Sequence, residues 1–346
     1  MKKVFIYNPN DSTHRGGGRY LKSLAEVIDG ASLTEDFSRL ESSDTLIVPF
    51  WKPTERPVIN GRICQKQILC LLDVIPLAHP DHFPLGWKGR WNVRNSKKAL
   101  IHFDKIVTIS HHSKSEITRV LGVDEKKIEV IYPTLEPIFF DKKIGSSADI
   151  NIPFKDYFIY VGDANWNKNL VNIAKSIKES DSNLVLVGKV FEKLKSLKSE
   201  EELEEHLKSL NHIEQKSLRE FERITFEDKR FFFTGFINDD ELKYLYQHAI
   251  ANILISFDEG FGYSFFEAAS QACPSLLSDI DVFREISTLD GALFCDPLDC
   301  HQIAMSINEL INKPTLRNEL IITSSKRLID VLDKNKISKM WMKLLN

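Results

Sequence analysis

Residues 251–269 read Ala251-Asn252-Ile253-Leu254-Ile255-Ser256-Phe257-Asp258-Glu259-Gly260-Phe261-Gly262-Tyr263-Ser264-Phe265-Phe266-Glu267-Ala268-Ala269. An apolar run of strand length, Ala251–Phe257, leads into an acidic turn with two glycines and then into a helix. Gly260 and Gly262 let backbone approach a ligand closely, and the unpaired N–H groups opening the helix favour phosphate. Two glutamates stand eight positions apart. Glu259, on the loop, faces the sugar end of such a ligand. Glu267, one to two turns into the helix, is placed to accept two ribose hydroxyls. Taken alone, the same pair also reads as a capping glutamate and a solvated one.

The unit repeats outward in both directions. Strands are expected at Val4–Tyr7, Thr45–Phe50, Gln67–Asp73, Lys105–Ser110 and Glu129–Tyr132. A second series follows at Tyr157–Gly162, Asn183–Gly188, Arg230–Gly235, Ala251–Phe257, Pro274–Asp279 and Ala292–Asp296. Nearly continuous apolar strands separated by helices mark parallel sheets covered on both faces. Two series in tandem predict an α/β chain of two doubly wound, Rossmann-like domains facing across a cleft. Gly145-Ser146-Ser147-Ala148 interrupts the pattern, so the domains are set at 1–150 and 151–330. Residues 331–346 are expected as a helix returning to the first domain. Between Phe191 and Arg230, 20 of 40 residues are charged, with leucines at helical spacing. That reads as a solvated helical pair, either a surface elaboration or an oligomer contact; the oligomeric state stays open.

The chain has 346 residues, 42% hydrophobic and 27% charged, an ordinary globular composition. A net charge of −3 argues against a generic nucleic-acid coat protein. Residues 1–150 nevertheless hold 22 basic against 18 acidic side chains, a balance suited to an anionic ligand or membrane surface. Five cysteines without a C-x-x-C pair fit a reducing compartment. The start, Met1 to Tyr7, lacks the apolar length of a signal peptide, and the purest apolar run, Ile68 to Leu72, is far too short to span a bilayer. A soluble, cytoplasmic protein is expected.

With Gln271-Ala272-Cys273-Pro274-Ser275-Leu276-Leu277-Ser278-Asp279-Ile280-Asp281-Val282-Phe283-Arg284-Glu285 appended, the quoted segment closely resembles the family 4 retaining glycosyltransferases (group 1 glycosyltransferases). The resemblance runs along nearly the whole chain. Gly162-Asp163-Ala164-Asn165-Trp166-Asn167-Lys168-Asn169 looks like that family's loop whose lysine holds the donor diphosphate. Thr108-Ile109-Ser110-His111-His112-Ser113-Lys114 looks like its interdomain strand end. Asp73-Val74-Ile75-Pro76-Leu77, with Pro80 and Phe83-Pro84, resembles a version found in bacterial mannosyltransferases. Arg15-Gly16-Gly17-Gly18-Arg19-Tyr20 sits where the family has a glycine-rich loop, although a glycine triplet equally suits a flexible turn.

The resemblance implies a GT-B fold and a nucleoside-diphosphate sugar as donor. It implies catalytic roles for Glu259, Asp73 and Lys168. Donor contacts are implied for Gly16, Gly17, Gly18, Arg19, Ser110, Gly162, Lys168, Gly188, Gly235, Phe236, Gly260, Phe261, Gly262, Tyr263 and Glu267. Two positions depart from the pattern: Asn167 stands where an arginine often precedes the lysine, and Leu72 where a histidine often precedes the aspartate. Asp73 on its own also reads as a helix cap or turn former.

Asp279-Ile280-Asp281 matches the D-x-D of metal-dependent glycosyltransferases, but Asp281 suits an N-cap for a helix over 282–286, and no protein-bound metal or other cofactor is expected. Trp87-Lys88-Gly89-Arg90-Trp91-Asn92-Val93-Arg94-Asn95-Ser96-Lys97-Lys98 carries five basic residues, two tryptophans and no acid. It suits an anionic membrane interface, a sugar-stacking platform or a solvated helix face. The expected function is transfer of a hexose to a glycan or lipid-linked glycan acceptor, with GDP-mannose the first choice of donor and a UDP-sugar the second. The partners are then nucleotide sugar and glycan acceptor, with no nucleic acid. The rivals are a catalytically silent glycan- or nucleotide-binding subunit and a GT-B epimerase or phosphorylase.

Overall fold

A computed structural model of the chain describes residues 3–8, 16–49, 51–141, 143, 145, 150–210 and 212–346. It resolves into two compact units, one of Met1–Glu136 with Val331–Asn346 and one of Pro137–Asp330.

The first unit holds strands β1 (Val4–Tyr7), β2 (Ser32–Thr34), β3 (Thr45–Val48), β4 (Lys66–Cys70), β5 (Lys105–Thr108) and β6 (Ile128–Val130). They form one parallel sheet in the order β2-β1-β3-β4-β5-β6. Strand β2 was not anticipated. It is a three-residue edge strand in which only Thr34 is buried, so it carries no apolar run to betray it. In β3 all four residues are buried, and Leu46 and Val48 pack with Leu69, Ile106 and Ile117.

The second unit holds β7 (Phe158–Val161), β8 (Leu184–Val187), β9 (Phe231–Gly235), β10 (Asn252–Leu254), β11 (Ser275–Ser278) and β12 (Leu293–Cys295). All six strands expected there form, again in parallel, in the order β12-β11-β10-β7-β8-β9. The chain runs outward from β7 through β8 to the edge at β9, then returns to the middle and runs outward from β10 to β12 at the other edge. The order therefore reverses between β7 and β10. In open parallel sheets a ligand binds outside the carboxyl ends of the strands at such a switch point.

The division between units falls before the expected 150/151 boundary. Gly145, taken as part of a linker, is instead a close approach: a Cβ there would lie 2.4 Å from the carbonyl oxygen of Asp240. Its N–H donates to Gln247 Oε1 at 2.9 Å, and the buried Phe139 takes a hydrogen bond on its carbonyl from Gln271. These contacts tie residues 137–145 to the second unit. At Val331 the chain returns to the first unit, where the helix Lys334–Leu345 packs on the helix Gly16–Val27 and buries Ile337, Trp341 and Leu345.

The charged segment differs from a solvated pair. It forms three helices, Glu192–Ser196, Glu200–Ser209 and Lys216–Thr225. Phe191 and Phe221 are fully buried among Tyr160 and Phe233, so part of this segment covers the sheet. Apart from the buried Glu222, its charges lie mainly on the outer faces, which is why composition alone hides the two core phenylalanines.

Candidate active site of the second unit

The loops after β7 and β10, neighbours at the switch point, bring several of the expected site residues together. Gly162 follows β7 and Gly188 follows β8, so close together that a Cβ on Gly188 would sit 2.3 Å from the Gly162 carbonyl oxygen. The N–H of Gly188 donates to the Gly235 carbonyl at 3.1 Å, so the three expected glycines lie across the carboxyl ends of β7, β8 and β9. Beyond Gly162 the buried Tyr160 hydroxyl donates to the Asp163 carbonyl at 2.5 Å. Burial, with the Glu259 and Asp163 carboxylates nearby, pushes that phenol well above its ordinary pKa. It stays a proton donor.

Trp166–Lys168 form a short 3-10 turn, and Asn169 ends it in the left-handed region with φ of 55°. Trp166 stacks on Phe257 at 5.1 Å. Asn167 accepts the Phe257 N–H on its carbonyl at 2.7 Å and donates from Nδ2 to the Asp258 carbonyl at 3.0 Å. One residue further along each loop, Lys168 Nζ meets Glu259 Oε2 at 2.5 Å. Ser256 Oγ also donates to that oxygen, at 3.3 Å. The two side chains keep 18% and 14% exposure, so this cation–carboxylate pair is largely screened from water yet open on one side.

Gly262 has φ of 93° and starts the helix Tyr263–Ser270. A Cβ there would lie 2.9 Å from Phe283 Cε1, so both conformation and space require glycine. Phe261 is 1% exposed and stacks on Phe266, which puts its ring in the core and leaves only its backbone for a ligand. Gly260 is buried, and Tyr263 is half-buried beside the Phe261 ring.

Glu267, expected to face the cleft, is instead 1% exposed and accepts the Tyr246 hydroxyl on Oε2 at 3.0 Å. The reason is local: every residue from Ser264 to Ala269 is buried, so this part of the helix has no wet face. Phe236 is 56% exposed and borders a concavity of about 200 Å³ shared with Lys195, Phe232, Thr234 and Glu241. That concavity lies beside β9, and neither Lys168 nor Glu259 lines it.

The remaining candidates lie in the first unit. Asp73 Oδ1 accepts the Ile75 N–H at 3.1 Å and so forms the turn after β4. Ser110 is fully buried and uses its hydroxyl to cap the helix His111–Leu121, accepting the Ser113 N–H at 2.9 Å. Its Oγ serves the fold rather than a ligand. Gly16, Gly17, Gly18 and Arg19 form the first turn of the helix Gly16–Val27 rather than a loop before it. Tyr20, Leu21, Leu24 and Val27 bury one face of that helix, and their packing outweighs the weak helix preference of glycine. Arg15 lies outside the described residues.

Asp281 is the first residue of the helix Asp281–Ser287, and Ile280 takes the N-cap position that Asp281 was expected to fill. Asp279 is held by Arg284 through two hydrogen bonds of 2.6 and 2.7 Å, and that guanidinium holds its carboxyl below the usual range. Among the described residues no group of three or more His, Cys, Asp or Glu side chains is placed to hold a metal ion, and no helix is long and apolar enough to cross a membrane.

Asn167 was singled out only as a missing arginine, and its part in joining the two loops was not foreseen. Asparagine at a loop position, next to a lysine, carries no signal of such a contact in one dimension.

Residues 227–327 match the family model described as glycosyl transferases group 1. The chain is 31% identical over 240 residues to the O-antigen chain mannosyltransferase RfbU of Salmonella typhimurium, covering 68% of this chain and 58% of that one. It is 23% identical over 242 residues to the uncharacterized glycosyltransferase MJ1607 of Methanocaldococcus jannaschii, covering 66% of this chain and 56% of that one. It therefore spans less than two thirds of the length of these curated relatives. Among solved structures, HepE of Anabaena, in complex with UDP and glucose, superposes with a TM-score of 0.69 over 100% of this chain and 99% of that one, at 14% identity. Sucrose-phosphate synthase of Thermosynechococcus elongatus gives 0.71 over 99% and 98%, at 13% identity. Two parallel six-stranded units and those superpositions give the chain a GT-B fold, and within its second unit residues 227–327 match the group 1 glycosyl transferases model.

Proposed function

We propose that the protein is a retaining glycosyltransferase that moves a hexose from a nucleoside-diphosphate sugar to a glycan or lipid-linked glycan acceptor. The observation that carries this reading is the Lys168–Glu259 pair, 2.5 Å apart at the switch point and beside the helix that begins after Gly262. When the bond between the sugar and the diphosphate breaks, negative charge grows on the leaving phosphate. Lys168 and the helix amides answer that charge, and they act most strongly in the transition state. Glu259 orients the hexose. In front-face substitution the acceptor oxygen bonds to the same face of the sugar, and the departing diphosphate takes the acceptor proton.

GDP-mannose is the preferred donor. The Asp73–Leu77 segment and the likeness to a mannosyltransferase support it, while UDP, named in the HepE complex, makes UDP-sugars the second choice. No metal is assigned a role, because Asp279 is already committed to Arg284. The acceptor is assigned to the first unit. Contact with an anionic membrane is assigned to the helix Trp87–Ala99. There Trp87, Lys88, Arg90, Trp91, Arg94, Lys97 and Lys98 are exposed while Asn92, Ser96 and Ala99 are buried. Tryptophans and cations on one outer face suit a lipid headgroup layer.

A silent nucleotide-binding subunit is the second reading, favoured by Asn167 and Leu72 at positions where the family often has charged or titratable groups. Donor hydrolysis and transfer on a panel of GDP- and UDP-sugars, with and without chelator, separate the two. Turnover of at least one donor that persists in chelator is expected. Nucleotide binding without turnover of any donor selects the silent subunit.

A further inference from the structure

Lys168 and Glu259 reach each other from different strands, so something must hold their loops in register. The loop after β7 and the loop after β10 are joined at consecutive positions. The Phe257 N–H donates to the Asn167 carbonyl at 2.7 Å, and Asn167 Nδ2 donates to the Asp258 carbonyl at 3.0 Å. The next residue on each side is Lys168 and Glu259. The flanks are fixed separately: Trp166 stacks on Phe257, and Asn169 Nδ2 donates to the Pro297 carbonyl at 2.7 Å.

Asn167 is 5% exposed, so its carboxamide is spent inside the protein rather than on a ligand. We infer that Asn167 is a positioning residue, which sets the separation of Lys168 and Glu259 by clamping the loops that carry them; the inference rests on the glycosyltransferase reading of that pair. The chemistry of the side chain fits the task. It is short enough to reach a carbonyl one residue beyond its backbone partner, and it donates without introducing a charge. An aspartate of the same shape would set a carboxylate against the Asp258 carbonyl oxygen and has no N–H to give. Where relatives often place an arginine to meet the donor, this chain uses the position to hold its own site together.

The test compares Asn167→Ala, Asn167→Asp, Lys168→Ala and the Asn167→Ala/Lys168→Ala double variant, using GDP-mannose and UDP-glucose as donors. Thermal melts accompany the kinetics, and Asn167→Asp serves if the alanine variant folds poorly. Both single Asn167 variants should lower kcat by about 10–100-fold, with a much smaller change in donor KM, because a displaced group is felt most in the transition state. In the Lys168→Ala background the further loss should be no more than about twofold, since the clamp acts through the lysine. An equal loss in both backgrounds overturns the positioning role and leaves Asn167 merely structural. Hydrogen exchange of a peptide covering residues 256–262 gives an independent readout. It should quicken in both Asn167 variants, and unchanged exchange refutes the clamp whatever the activity. A wild-type protein inactive on every donor, with exchange quickened by the substitutions, supports the clamp and sinks the glycosyltransferase reading instead.

Discussion

Tyr246 donates its hydroxyl to Oε2 of Glu267 at 3.0 Å, inside the second unit, with both side chains 1% exposed or less. The second glutamate of the spaced pair is thus anchored by a tyrosine from the helix Asp239–His248. Tyr246→Phe removes that donor and should lower unfolding stability by about 1–3 kcal/mol. Glu267→Gln keeps the shape and an acceptor oxygen, so it should cost less stability. Denaturant unfolding of both variants checks the ranking; a Tyr246→Phe protein as stable as wild type contradicts it.

Lys168→Ala should weaken nucleoside-diphosphate binding by about 10–100-fold, the loss expected for one charged hydrogen bond. The substitution also strips Glu259 of its nearest cation. Calorimetric titration with GDP and UDP measures the effect, and unaltered affinity would remove Lys168 from the diphosphate site.

Glu259→Gln should lower kcat by roughly 10²–10³-fold, with donor KM little changed, because a carboxylate that orients the sugar counts most while the glycosidic bond is breaking. Steady-state kinetics decide. Near-normal turnover would end the assignment.

Acid–base behaviour should show in stability through Glu222. Its side chain is 1% exposed, and burial pushes its carboxyl above the ordinary 4.5 against the opposing pull of His206 at 3.3 Å. The folded protein therefore holds this proton more tightly than the unfolded chain does. That contribution is complete below the unfolded value and is lost as pH rises through the higher folded value. Glu222→Gln should flatten this dependence and raise Tm at neutral pH by about 1–3 °C. Melts across pH 4–8 test it, and an unchanged pH slope in the variant counts against it.

The helix Trp87–Ala99 should bring the protein down with anionic vesicles at low salt and release it at high salt. Trp87 is 83% exposed and Trp91 59%, so Trp87→Ala/Trp91→Ala should cut binding at both salt levels without a change in Tm. Absence of binding at low salt would leave this face simply solvated.

The second sheet was legible because runs such as Leu184–Val187 are wholly buried and say so by composition. Edge strand β2 was not, because Ser32 and Leu33 face solvent and its pairing is made by backbone alone. The turn at Gly262 was legible because turn glycines keep a pattern along the chain, whereas Lys168 and Glu259 were singled out through the family resemblance and are found side by side. The burial of Glu267 was not legible, since it depends on what another element brings against it, the Tyr246 hydroxyl. Asn167 shows the same limit, its partners being about ninety positions away.

The buried Trp341 has a consequence for biosynthesis. The helix that carries it packs on Gly16–Val27, and Pro137–Asp330 is made in between. As the polypeptide leaves the ribosome, the second unit has its whole sequence available while the first still lacks a core tryptophan. The half that is translated earlier is therefore completed later, and until then the apolar face of Gly16–Val27 is left for a chaperone, or for an aggregating neighbour, to cover.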